Sequence, residues 1–368
     1  MPTLAIDIDV DGPATRSGIQ PGDLIASINT KEVASVKQFA EIIAKTDLSK
    51  PVAFLIKGNN AKSATFFVDS NCHPQTIEVI KTRAEHMGIR VVVDSFESFS
   101  PNESVFGVLV QYPGSDGRVL NFKNFFEAAH SVGAITIAAA DILSLSVLTP
   151  PGEFGADIAI GTTQRLGVPM GFGGPHAAYM ATKDVYKRQM PGRIVGVSKD
   201  AEGRAALRLA LQTREQHIRR DKASSNICTA QVLLAIMASM YCVYHGPKGL
   251  KSIAENISKK ARVLAAGLLR LNYEISEDVF FDTVKINLIK TDLSAQEILD
   301  RAKSKHINIR LIDGKTLSVS IDETTTAQDI KDLLSVFASG RKFDFTIDEL
   351  EKSASKFTFK GFNRTSEY

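Results

Sequence analysis

The sequence predicts an α/β fold: a large, mostly parallel sheet covered on both faces by helices, then a smaller α/β unit, with a small mostly-β unit ahead of both. Three observations predict it. From Phe66 onward, apolar runs of strand length alternate with stretches of helical period. A long glycine- and proline-rich loop, Gly161–His176, lies between the apolar runs Ala156–Ile160 and Ala177–Ala181, as a connection does whose backbone must approach something closely. Further on, Asp313-Gly314 separates two strand-like runs, a strong hairpin signal.

Residues 1–66 have their own logic. Leu4–Val10 reads as a strand, Asp11-Gly12-Pro13 as a turn and Ala14–Ile19 as a short helix ended by Gly18. A strand over Leu24–Asn29 follows, then an amphipathic helix over Ser35–Lys45 with Val36, Phe39, Ile42 and Ile43 on one face. A hairpin is expected from Val52–Lys57 and Ser63–Val68, joined through Gly58-Asn59-Asn60. The order Gly-Pro-Ala-x-x-x-Gly-Ile-x-Pro-Gly-Asp-x-Ile-x-x-Ile-Asn, Gly12 to Asn29, resembles a PDZ domain of trypsin-like stress proteases. Such domains bind a C-terminal peptide as an added strand. The carboxylate-holding loop would precede Met1, so the expectation is a truncated PDZ-like unit that packs rather than binds.

No linker separates this unit from the large domain expected over 67–250: Phe66-Phe67-Val68-Asp69 runs straight into Ser70-Asn71-Cys72-His73. Strands are predicted at Phe66–Val68, Arg90–Asp94, Phe106–Gln111, Ala134–Ala139, Ala156–Ile160 and Ala177–Ala181, and helices at Gln75–Gly88 and Asn121–Ser131. Ligands of such sheets bind outside the carboxyl ends of the strands. His73, Asp141 and the Gly161–His176 loop all follow strands directly, so they are expected at one edge. A helical block is predicted from Ala201 to Leu271. Its run Val232–Tyr244 is apolar nearly all round, which calls for burial on every side. The small domain, 251–340, should hold strands Thr283–Leu288, Ile307–Leu311 and Thr316–Ser320 and helices Ala295–Lys305 and Ala327–Ala338; residues 341–368 read as a tail leading into further chain.

Composition narrows the function. The 368 residues are 44% hydrophobic and 23% charged, an ordinary globular balance. A net charge of +3 with basic and acidic residues interspersed does not suggest a nucleic-acid partner. Three cysteines, Cys72, Cys228 and Cys242, with no Cys-x-x-Cys pair, argue against a disulfide framework and a zinc site. No apolar run is long enough to span a membrane, and the start has no leader pattern, so the expected location is the cytoplasm.

Three motifs carry a resemblance: Pro151-Gly152-Glu153-Phe154-Gly155-Ala156-Asp157, the Gly161–His176 loop, and Leu211–Gln231 with its basic residues Arg214, His217, Arg219, Arg220 and Lys222. From about Phe66, weakening after about Ala338, the chain resembles glycine decarboxylase, the pyridoxal-phosphate-dependent P-protein of the glycine cleavage system. The resemblance implies a fold-type-I large domain with a small domain, decarboxylation of glycine, and transfer of the aminomethyl group to the lipoyl arm of the H-protein. It also implies site residues. His73 matches the histidine that stacks on the cofactor ring, Asp141 the aspartate that pairs with the pyridine nitrogen, and Gly171, Gly173, Gly174 and His176 the glycine-rich cofactor loop. Where the family's cofactor half keeps its lysine, this chain has Gln164-Arg165, and neither an amide nor a guanidinium has a nucleophilic nitrogen to hold the cofactor aldehyde. Of the lysines that follow the loop, Lys183 is the nearest in sequence, and Lys222 belongs to the basic stretch.

Plainer readings stand beside these. Asp141 suits the cap of Ile142–Val147, His73 before proline suits a turn, and the basic stretch suits a solvated helix face. The expectation is therefore the half of a glycine decarboxylase without the cofactor lysine, inactive alone and partnered by the lysine-bearing half. The alternatives are a peptide-binding module and a fused reading frame without activity of its own.

Overall fold

The computed structural model describes residues 24–29, 31–33, 35–47, 54–57, 65–102, 104–187, 190, 194–210, 220, 231–275, 279–354 and 359–367. The strand expected at Leu4–Val10, the helix at Ala14–Ile19 and nearly all of the Leu211–Gln231 motif lie outside them.

Ahead of the large sheet, β1 (Leu24–Ile28) pairs antiparallel with β2 (Lys31–Glu32) on one side and β3 (Phe54–Lys57) on the other. Helix α1 (Val36–Ala44) starts where Ser35 accepts from the Gln38 amide, and Phe39, Ile42 and Ile43 pack on Ile25, Ile28 and Val33. The predicted hairpin does not form. β4 (Thr65–Asp69) instead pairs in parallel with β5 (Arg90–Asp94) and β6 (Val105–Tyr112). The physical reason is two-sided apolarity. Phe67 faces Phe99 and Phe125 in one core while Val68 joins Cys72 and Ile77 in the other, and only an interior strand covers both faces.

The large sheet has the order β5-β4-β6-β7-β8-β9, with β7 Ile135–Ala140, β8 Ile158–Thr162 and β9 Ala178–Thr182; only the edge strand β9 runs antiparallel. Helices α2 (Pro74–His86) and α3 (Lys123–Ser131) fill the crossovers expected of them. The helical block does not begin at Ala201. Val195–Lys199 and Ala205–Leu209 form the antiparallel hairpin β10–β11, turned by the Asp200 carboxylate, which accepts from the Glu202 and Arg204 amides, with Gly203 at positive φ. Helix α4 then runs Val232–Arg270, broken at Gly246 (φ 60°, ψ 178°), with Pro247 opening the second segment. On the first segment Ala238 is buried, but Val232, Leu233, Ile236, Met240, Val243 and Tyr244 are each more than half exposed. The burial expected for that run is therefore not supplied by the described residues.

The small domain is an antiparallel sheet of order β12-β13-β15-β14 (Glu274–Ile275, Thr283–Asn287, Thr316–Ser320, Arg310–Asp313) with α5 (Ala295–Ser304), α6 (Ala327–Ala338) and α7 (Ile347–Ser353). Each of these three helices opens on a capping box: Ser294 with Glu297, Thr326 with Asp329, Thr346 with Glu349. The strand expected from Ile307 begins at Arg310, and the Asp313-Gly314 hairpin forms as predicted. One apolar core runs through both domains, from Val108, Tyr112 and Phe126 under the large sheet to Leu264, Leu268, Phe281 and Phe337 in the small domain. Among the described residues no helix is long and apolar enough to cross a membrane.

Candidate functional site at the carboxyl edge of the sheet

Strand order reverses at β4: its successor β5 lies on one side and β6 on the other, so the loops leaving β4 and β6 open a crevice at the carboxyl edge. Two groups of side chains gather along this edge. In the first, the Ser115 amide donates to Asn71 O at 2.8 Å and Asn71 Nδ2 to Asp116 Oδ1 at 2.8 Å, which ties the two loops together. Arg310, from β14, donates through Nη1 to both the carbonyl and the hydroxyl oxygen of Ser115, each at 2.7 Å. His73 Nδ1 lies 3.1 Å from the same hydroxyl. Ser115 Oγ thus accepts from Arg310 and shares a hydrogen bond with His73 Nδ1. Desolvation lowers the His73 pKa, the Arg310 charge lowers it further, and Asp141 opposes both. At Asp116, burial alone would raise the carboxyl, but hydrogen bonds from Asn71 and Arg118 with the charges of Arg118 and Lys285 outweigh it and hold the pKa down.

The second group centres on Arg165. Asp141 follows β7 directly. Its Oδ1 accepts from the amides of Leu143 (2.9 Å) and Ser144 (3.4 Å), so the capping role read from sequence is realised. Its Oδ2 accepts from Arg165 Nε at 2.9 Å, with Nη2 at 2.8 Å. The same Nη2 donates to Asp282 Oδ2, and Asp282, which is buried, stands at the entrance to β13. One guanidinium thus joins the loop after β7, the loop after β8 and the small domain. The same seam is closed at Gly117 (φ 92°), where an added Cβ would lie 2.1 Å from Thr283 O, and the Val119 amide donates to Val279 O at 3.1 Å.

The remainder of the glycine-rich loop turns in on itself. The amides of Gly173 and Gly174 both donate to Met170 O, Gln164 Nε2 lies 3.6 Å from Met170 Sδ, and His176 Nδ1 donates to Gly174 O at 2.9 Å. Gly171, Phe172 and Gly174 have positive φ, and Gly171, Phe172, Gly173 and His176 are exposed. Their polar contacts stay within the loop, whereas Asp141 and Arg165 meet and His73 joins Ser115 and Arg310. Lys183 lies at the other edge of the sheet, 2.6 Å from Asp157 Oδ1 at the amino end of β8, and Lys222 lies outside the described residues. Asp282, Ser115 and Arg310 are not legible in the sequence. They are single polar residues without a motif, and Arg310 meets Ser115 across 195 positions.

These residues do not fit a pyridoxal phosphate bound within this chain. Gln164-Arg165 offers no amine, and the oxygens of Asp141 are taken up by two backbone amides and one guanidinium.

A parallel sheet of this order, with a small domain docked over its carboxyl edge, is the large-plus-small plan of fold-type-I pyridoxal-phosphate enzymes. A NifS-like protein (12% identity, TM-score 0.52, covering 75% of this chain and 74% of that one) and C-DES with glycine linked to its cofactor (14%, 0.52, 75% and 74%) share that fold. The chain belongs to the glycine cleavage system P-protein family, whose model matches residues 26–337. It is 50% identical over 350 residues to glycine dehydrogenase (decarboxylating) of Nostoc punctiforme, covering 94% of this chain and 35% of that protein. It is 54% identical to the Paraburkholderia phytofirmans protein of that name (92% and 35%) and 52% identical to the mitochondrial protein of Pisum sativum (83% and 29%). A crystal structure of glycine decarboxylase in inhibitor-bound form matches at TM-score 0.67 and 33% identity, covering 76% of this chain and 66% of that one. The chain spans about a third of the length of these curated relatives. The family match begins ahead of Phe66, where the sequence reading had placed its start, and it ends at 337, close to the expected Ala338.

Proposed function

We propose that this chain is the half of a glycine decarboxylase that does not carry the cofactor lysine. The observation that carries the proposal is the Gln164-Arg165 pair in the loop after β8, at the place where the resemblance puts the lysine of the family's cofactor half; it offers no amine, and Arg165 is held between Asp141 and Asp282. In this reading the complementary half or subunit supplies the lysine and the pyridoxal phosphate, which would withdraw electrons from bound glycine as carbon dioxide leaves. This chain supplies a rigid wall beside that site and part of the interface. The aminomethyl group would pass to the lipoyl arm of the H-protein. We further propose that the stretch ahead of Thr65, PDZ-like in sequence order, serves as a small unit that packs rather than captures a peptide.

The test is complementation. The chain alone, given pyridoxal phosphate, glycine and lipoylated H-protein, should release no labelled carbon dioxide; co-expressed with a lysine-bearing half it should. Activity of the chain alone, with borohydride fixing one cofactor on one of its lysines, would overturn the proposal.

A further inference from the structure

We infer that Arg165 is the resident cation of the carboxyl-edge crevice: it occupies the carboxylate that a pyridinium ring would need and locks the small domain onto the sheet, so this chain is closed without a cofactor and holds none. The inference deepens the reading above, on which it rests only for the role expected of Asp141.

The argument is one of saturation. A carboxylate has about four acceptor positions. On Asp141, Oδ1 accepts from the amides of Leu143 and Ser144, and Oδ2 from Nε and Nη2 of Arg165. A ring N–H arriving there would have to displace the guanidinium, leaving Asp282 without its cation at a position only 9% exposed. His73, too, is tied to the seam, its Nδ1 lying 3.1 Å from the Ser115 hydroxyl that Arg310 holds from the small domain. The planar fork of an arginine suits this place in a way a lysine does not, because it reaches two carboxylates from one residue. Arg165 is therefore a positioning residue: it fixes Asp141 and the domain seam.

Pyridoxine 5′-phosphate tests the inference, since it carries the ring nitrogen and the phosphate but no aldehyde, so condensation with surface lysines cannot mimic binding. Its affinity for the full chain is measured by equilibrium dialysis for wild type, Asp141→Asn, Asp282→Asn, Arg165→Gln/Asp282→Asn, and that double variant with Asp141→Asn added. The Asp282→Asn background removes one of the two carboxylates that loss of the guanidinium would leave facing each other. The wild-type chain should show no binding that depends on Asp141. The double variant should bind at least about tenfold more tightly than wild type, the worth of one charge-assisted hydrogen bond, and Asp141→Asn should abolish the gain. Hydrogen exchange of residues 279–283 should quicken in the double variant. Wild-type binding that Asp141→Asn weakens tenfold would overturn the inference, as would a folded double variant that binds no better than wild type. The wild-type arm decides the matter even if the double variant does not fold. No partner half and no glycine enter this assay, so its failure leaves the complementation result standing, and the reverse holds too.

Discussion

At the amino edge of the sheet, Asp157 accepts from the Thr136 amide at 2.9 Å, Lys183 Nζ at 2.6 Å and His130 Nε2 at 2.9 Å. Burial alone would raise its carboxyl, but these partners outweigh it and hold the pKa down at about 2, below the ordinary 3.8. A depressed carboxylate stabilises the fold at pH values above its unfolded pKa, and that stability is lost as pH falls from about 4 to about 2. Asp157→Asn should therefore cost about 1 kcal/mol at neutral pH, after solvent screening at half-exposed Lys183, and close to nothing near pH 2; urea midpoints at the two pH values measure it. Gly117→Ala is the sharper change, because the obstructing atom is the backbone oxygen of Thr283, which cannot rotate away. It should lower the urea midpoint by an amount worth at least about 2 kcal/mol, with the slope unchanged. Single residues were legible only where a pattern framed them. Asp141 and His73 stood out because each follows an apolar strand run, whereas Asp282 meets Arg165 across 117 positions and nothing in its own neighbourhood marks it.

Helices and strands were read from period and length, and they fail where one period serves two structures. Thr65–Asp69 looked like the return strand of a hairpin because a Gly-Asn-Asn turn precedes it; its two apolar faces were the better guide. Ala201–Leu209 was read into a helix although Asp200 and Gly203 mark a turn between two strands. In the first segment of α4 the pattern was read as needing cover on every side, and among the described residues Val232, Leu233, Ile236, Met240, Val243 and Tyr244 stay exposed. Self-association is the expected result for the isolated chain. Leu233→Glu with Ile236→Glu should shift the light-scattering mass toward the monomer. A wild-type chain already monomeric at micromolar concentration would count against this.

At the scale of the molecule, the α/β plan, the mostly parallel sheet and the small domain were all legible, because alternation of strand and helix survives errors in any one element. The seam between the domains was not, since it is built of backbone contacts and of charged and polar side chains far apart in sequence, among them Arg165 with Asp282 and Arg310 with Ser115. Among the described residues, no strand ahead of Thr65 pairs with the large sheet, in which β4 lies between β5 and β6. A chain beginning at Ala64 should therefore keep its helical circular dichroism and unfold within a few degrees of the full chain; precipitation on loss of the first unit would refute this. The strand order also sets a schedule for synthesis. In the large sheet, every strand from β6 to β9 emerges from the ribosome to find a neighbour already made, so that sheet is complete once Thr182 is out. Arg165 can by then hold Asp141, but Asp282 is still untranslated, and the nascent large domain waits with its latch half fastened until the small domain arrives to close it.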